Sequence, residues 1–218
     1  QTGTFLWTPT SAQAGLQSFE IHATNTAGNI RSQAMNVNIT PDAPQIDLLA
    51  GSDSGSNSSD NLTNQTTLQI EASEVVNGAL VTLFSGGEPI GQAVANSDVV
   101  VSTNVLSDGV HHITATQTVD GLESDPSAVM SVTVDTAIPP PFTSVPPTEA
   151  TTNVLFTYEA NNPEEGESGF TYTTTNAPAS ATLDPQTGTF LWTPTLAQAG
   201  LQSFEIHATD AAGNIRSQ

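Results

Sequence analysis

Residues 52–61 read Ser-Asp-Ser-Gly-Ser-Asn-Ser-Ser-Asp-Asn, a dense run of hard oxygen donors. Carboxylate, amide and hydroxyl oxygens are what a hard divalent cation takes, and calcium uses roughly six to eight of them. Gly55 supplies the backbone freedom a tight loop needs. Asp53, Asn57 and Asp60 are therefore candidate calcium ligands, with Asp120 of the Asp120-Gly121 turn as a fourth. The same run equally suits a polar turn whose Asp and Asn oxygens cap backbone N–H groups. Both readings stand.

Other chemistry is poorly supplied. His22 and His207 occupy one repeated position on the outward face of a strand, and adjacent His111 and His112 point to opposite faces. Zinc needs about three or four converging ligands, and cysteine is absent. No Gly-x-Ser-x-Gly elbow and no glycine-rich phosphate loop occurs, so neither hydrolase nor nucleotide chemistry is indicated. Glu164, Glu165 and Glu167 read as a solvated acidic loop rather than a glycosidase pair. Trp7 and Trp192, equivalent within Phe-Leu-Trp-Thr-Pro-Thr, read as packing residues, with a sugar-stacking platform as the alternative. Asp184, before Pro185, reads as a turn residue. Asn38, Asn57, Asn61 and Asn64 lie in Asn-x-Ser/Thr sequons, which matter only where glycosylation machinery exists.

The charge balance is extreme. Twenty-two acids face two bases, Arg31 and Arg216, for a net charge of −20. That excludes the cationic face that nucleic acid or an anionic membrane surface would need. No cysteine means no disulfide, and no lysine means no Lys–Asn isopeptide crosslink. No apolar run is long enough to insert into a membrane as a helix.

The elements that must position these residues are strands. Period-2 alternation marks residues 67–72, 79–85, 110–118, 128–135, 154–160, 170–175 and 201–209. In the last, Phe204, Ile206 and Ala208 face one way and Ser203, Glu205, His207 and Thr209 the other. Gly- and Asp-bearing turns punctuate the strands, and no segment keeps a helical period. The fold class is all-β, a tandem of β-sandwiches.

Residues 1–33 and 186–218 are the same segment written twice. They differ only at Ser11/Leu196, Asn25/Asp210 and Thr26/Ala211, an offset of 185 residues. Such near-identity marks a tandem array. Proline-bearing hinges at 40–44 and 135–141 divide the period. The expected domains are 1–40, the C-terminal half of one module; 41–137, a complete domain; and 138–218, the first module type without its last strand. Residues 33–40 follow the first copy and show what that strand would be. Residues 1–40 are expected to be completed by the equivalent of 138–185 from a neighbouring repeat or chain.

Residues 177–195, then Ala199-Gly200 and Ile206-His207-Ala208-Thr209-Asp210-Ala211-Ala212-Gly213-Asn214, resemble the cadherin-like or "putative Ig" modules of bacterial surface proteins, including the dystroglycan type. Family members carry an Asp-Pro-Asp-Gly-Asp-like loop where this chain has Asn162-Pro163-Glu164-Glu165-Gly166-Glu167. Residues 51–64, 78–84, 108–116 and 134–136 resemble the bacterial Ig-like repeats of giant adhesins. The resemblance implies secreted, repetitive attachment and biofilm proteins, and ions at module borders. Asp42 and Asp135 flank such borders and join the calcium candidates, with turn capping as their plainer role.

The sequence thus points to a non-enzymatic, extracellular spacer region of a bacterial adhesin, stiffened by calcium. Its partners would be neighbouring copies of the repeat, with surface or matrix glycans met outside this chain. A filament assembled head to tail by strand completion is the first alternative, and a carbohydrate-binding accessory module the second.

Overall fold

The computed structural model describes residues 3–161 and 170–218. The acidic loop at Glu164, Glu165 and Glu167 lies outside the described residues. Strands come in the order β1 (Gly15–Thr24), β2 (Ile30–Ile39), β3 (Gln45–Leu48), β4 (Leu62–Thr63), β5 (Gln69–Ser73) and β6 (Leu80–Ser85). They continue with β7 (Glu88–Val94), β8 (Val99–Ser102), β9 (Gly109–Val119), β10 (Leu122–Glu123) and β11 (Met130–Val134). Last are β12 (Phe156–Glu159), β13 (Thr171–Thr175), β14 (Thr182–Leu183), β15 (Thr189–Trp192), β16 (Glu205–Thr209) and β17 (Ile215–Ser217). The class is all-β, as the alternation requires. Two compact units form: Gln1–Ser52 with Thr66–Thr133, and Asp53–Gln65 with Val134–Gln218.

In the first unit, β3, β5 and β8 form one antiparallel sheet, while β11, β9, β6 and β7 adjoin in that order in another. Alternation turns Ile70, Ala72 and Val101 of one sheet and Val81, Leu83, Ile113 and Val132 of the other into a solvent-free core. Gln117 is buried among them with every side-chain group used. Its Nε2 donates to the carbonyls of Asp42 (2.9 Å) and Glu74 (3.1 Å), and its Oε1 accepts the Val76 N–H (2.7 Å). A buried amide is tolerated on that condition. β1 and β2 make a separate ribbon, in register from Gly15↔Ile39 to Thr24↔Ile30.

In the second unit, β12-β15-β14 and β13-β16-β17 are two three-stranded antiparallel sheets. Tyr158, Tyr172, Phe190, Trp192, Ile206 and Ala208 are buried between them, flanked by Phe142, Phe156 and Phe204. The strand expected over 201–209 is shorter than its alternation suggests, since pairing starts only at Glu205. In the first copy the matching residues from Gly15 onward pair with β2 as far as Ile39. In the second, β17 ends at Ser217, and one further pair, Ile206 with Gln218, closes the ladder at 2.9 Å in both directions.

Candidate functional site

The oxygen-rich loop belongs to the second unit. Asp53 is 4% exposed. Its Oδ2 accepts the N–H of Asn61 (3.2 Å), whereas its Oδ1 is buried with no hydrogen-bond partner among the described residues. Asn57 Oδ1 accepts from the Ser59 N–H and hydroxyl, and Asp60 Oδ1 accepts the Leu62 N–H. Both side chains are exposed Asx caps of the kind turns use. Ser54 fastens the loop. Its hydroxyl accepts the Asn64 N–H (2.8 Å) and lies 2.8 Å from the Ala212 carbonyl.

Asp135 stands beside this loop. Its N–H donates to the Thr63 carbonyl (2.8 Å), its Oδ1 accepts the Ala137 N–H (3.0 Å), and its carbonyl accepts from Asn214 Nδ2 (2.9 Å). Asn214 in turn donates its N–H to Asp210 Oδ1 and its Nδ2 to Asp210 Oδ2. The first copy has Asn25 in place of Asp210, and Asn25 Oδ1 accepts the Ala27 and Asn29 N–H groups. The position needs an oxygen to close its turn, and Asn and Asp both have one.

Asp42 and Asp120 belong to the first unit. Asp42 Oδ2 accepts the Ser11 hydroxyl (2.6 Å). Asp120 sits in the turn between β9 and β10 at φ 50°. Among the described residues, no three His, Asp or Glu side chains group as a metal site. What fits a cation is one atom, Asp53 Oδ1. A buried carboxylate oxygen without a donor is costly, and a bound cation would relieve that cost.

Each histidine ring has a nearby hydroxyl or carbonyl partner. His22 and His207 place Nδ1 2.7 Å from Ser32 and Ser217, and His112 places Nδ1 3.0 Å from Ser131. His111 Nε2 lies 2.8 Å from the Ser107 carbonyl. Asp184 receives the Gln186 and Thr187 N–H groups at 2.8 and 3.1 Å. Those two backbone bonds, Gln186 first, hold its carboxyl below the ordinary carboxylate value.

A second feature lies in the same unit. A groove of about 420 Å³ runs between the segment around Pro146–Thr152 and residues 198–204. Phe156, Tyr158, Trp192 and Phe204 line it.

Comparison with known proteins gives two family matches. Residues 40–136 match the bacterial Ig-like domain, and residues 126–218 match the family described as Putative Ig domain. No curated protein sequence matches the chain. Among solved structures, the chain is similar to fibronectin(III)-like modules of CbhA from Clostridium thermocellum, at 13% identity and a TM-score of 0.47, over 80% of this chain and 90% of that one. It is also similar to the BSP domain of a biofilm associated protein, at 17% identity and 0.32, over 57% of this chain and 20% of that one. A third is SGBP-B of a Bacteroides ovatus mixed-linkage glucan utilization locus, in complex with a heptasaccharide: 18% identity and 0.29, over 93% of this chain and 48% of that one.

Proposed function

We propose, on the premise that residues 40–136 belong to the bacterial Ig-like domain family and residues 126–218 to the Putative Ig domain family, that this chain is an extracellular spacer region of an adhesin-type repeat protein. The observation that carries the reading is the repeat itself, identical in all but three of 33 positions at an offset of 185 residues. A spacer gains reach with each copy added, whereas a catalyst gains little from serial copies of itself. The work is mechanical: antiparallel ladders and apolar cores keep each sandwich folded under extension. The strong negative charge keeps successive copies soluble and apart. No helix among the described residues is long and apolar enough to cross a membrane.

Calcium is the finer part of the proposal. Asp53 Oδ1 is the atom that supports it, placed in the loop that Ser54 fastens to the turn at 210–214. Asp53 would hold the ion, and the ion would supply positive charge to a buried carboxylate and stiffen that loop.

Arrays of one, two and three periods test the spacer reading by small-angle scattering. The maximum dimension should grow by a constant increment per period. Compaction of the longer arrays into a globule would overturn it. Melting in calcium and in chelator tests the finer part, which an unchanged melting temperature would remove.

A further inference from the structure

We infer that Glu205 and His207 form half of a zinc site, and that a second copy of this chain supplies the other half. A spacer whose copies never meet would still be a spacer, and the calcium proposal concerns another atom, Asp53 Oδ1.

Strand alternation places the two side chains together. Glu205 and His207 flank buried Ile206 on β16 and share the outward face of the sheet. Their side chains are 61% and 16% exposed. His207 Nδ1 lies 2.7 Å from the hydroxyl of Ser217, its cross-strand partner. Nε2 faces the next row, where Thr175 opposes Glu205 in register. It stands 3.1 Å from Thr175 Oγ1 and 3.8 Å from Glu205 Oε2. With Nδ1–H donating to the serine, the free electron pair of Nε2 is turned toward that row and its carboxylate. A partner on the remote nitrogen is what fixes the tautomer and ring orientation of a metal-ligating histidine. The Thr175 hydroxyl is the neighbour that an entering ion displaces.

The spacing suits zinc. Bonds of about 2.0–2.1 Å at a tetrahedral angle put two ligand atoms about 3.3 Å apart. A small turn of the exposed Glu205 side chain closes the observed 3.8 Å to that bite. Imidazole nitrogen is a ligand that zinc takes readily. The pair also recurs at the offset of 185 residues. His22 Nε2 lies 3.7 Å from Glu20 Oε2, and His22 Nδ1 lies 2.7 Å from Ser32 Oγ. Each period therefore carries one such pair, with a serine on the same ring nitrogen.

One pair does not hold the ion alone. Structural zinc takes about four protein ligands, and among the described residues no third His, Asp or Glu joins either pair. Two copies meeting through the same outward face bring two histidines and two carboxylates to one ion. That is the isologous contact of a two-fold dimer. Charge favours the same answer. Each pair with a neutral imidazole carries a single negative charge, so two pairs balance one zinc ion. The ion also relieves repulsion between chains that each carry −20. Repetition in every period multiplies a weak contact along paired arrays.

The test is sedimentation of the intact chain in micromolar zinc chloride, in chelator, and in calcium chloride at the same concentration. Zinc should drive association, chelator should reverse it, and calcium should not reproduce it. The chain holds two pairs, so it should grow past dimers in zinc, with one ion bound per chain by elemental analysis. His22→Gln keeps a single pair and should stop at a dimer holding one ion. His22→Gln combined with His207→Gln should stay monomeric. In the His22→Gln chain, Glu205→Gln should weaken zinc-driven dimerisation at least tenfold, whereas Glu205→His, which keeps a ligand there, should retain it. Circular dichroism in chelator should match the native chain throughout. Absence of association in zinc, its survival in the double histidine variant, or equal association in calcium overturns the site. Zinc held by a chain that stays monomeric at every concentration overturns the second copy as its other half. The array-scaling measurement, made in chelator, is independent of all these outcomes.

Discussion

Phe190 lies flat against Phe204, with ring centroids 4.6 Å apart and planes at 15°. Their counterparts in the first copy, Phe5 and Phe19, sit 5.0 Å apart at 35°. The same residues in the same local sequence thus meet in two ways. Phe190 is fully buried while Phe5 is 56% exposed, and Ile206 is 2% exposed where Ile21 is 39%. The difference is the company each copy keeps. In the second unit β12 pairs with β15 and β13 with β16, and their side chains close over the aromatic pair. One chain therefore reports what the companion strands contribute to an otherwise identical segment.

Truncation should reveal the asymmetry. Phe190→Ala removes a ring from a closed core and is expected to cost about 3–5 kcal/mol in the second unit. Phe5→Ala should cost under about 1 kcal/mol, because its ring is already largely in water. Denaturant unfolding of the two variants checks this, and equal losses would contradict it.

Gln117 gives a second prediction. Gln117→Leu keeps the volume but abandons the Asp42 and Glu74 carbonyls and the Val76 N–H. Each orphaned group costs about 1–3 kcal/mol if it stays dry. The variant should lower the first unit's unfolding free energy by several kcal/mol. Amide exchange at Val76 should accelerate with it.

Much of this was legible in residue order, and the exceptions have physical causes. Alternation marks β5, β6, β9, β11, β12 and β13 to within two residues at either end. β7 escapes because Pro89 and Gly91 interrupt its pattern, and β3 because Asp47 and the nearby prolines make it look like linker. Residues 201–204 alternate as a strand should, whereas β16 runs from Glu205 to Thr209. The oxygen-rich loop is visible at a glance. Its attachment to the turn at 210–214 is not, since that contact spans 158 residues between Ser54 and Ala212. Nor does sequence distinguish Asp53, with its buried oxygen, from Asp60, which caps an exposed turn.

The attachment of that loop can be tested at one atom. Gly55 has φ 100°, and a Cβ there would stand 2.1 Å from the Ala211 carbonyl oxygen. Gly78 has φ 85° with nothing within 4 Å of such a Cβ. Both alanine variants incur left-handed backbone strain of about 1–3 kcal/mol. Only Gly55→Ala must also push the loop off the turn. It should therefore be the more damaging of the two, and should speed amide exchange at Asn64, whose N–H the Ser54 hydroxyl accepts.

Asp184 sets a pH dependence. Its folded carboxyl titrates below the ordinary 3.8 because the Gln186 and Thr187 N–H groups stabilise the charged form. A depressed folded value means the contribution is complete above the unfolded value and is lost as pH falls through the folded one. Acid should therefore loosen the turn between β14 and β15 only below about pH 4. Carboxyl titration by NMR should place Asp184 below the ordinary aspartate value, and Asp184→Asn should flatten this part of the acid profile.

Asp53 decides the calcium proposal. Its Oδ2 closes the loop on Asn61, so Asp53→Asn, a change that preserves side-chain shape, keeps an oxygen there for that bond and loses the charge. Its Oδ1 is the group that a cation would serve. Calcium should therefore raise the melting temperature of the second unit in the native chain, and the variant should lose that increment. Screening is the competing effect, because any salt relieves self-repulsion in a chain at −20. Sodium chloride at matched ionic strength separates the two, since screening acts alike on native chain and variant while a bound ion acts on the native chain alone. An increment equal in both chains, or equal for sodium and calcium, would assign the whole effect to screening and leave Asp53 as a loop-closing residue.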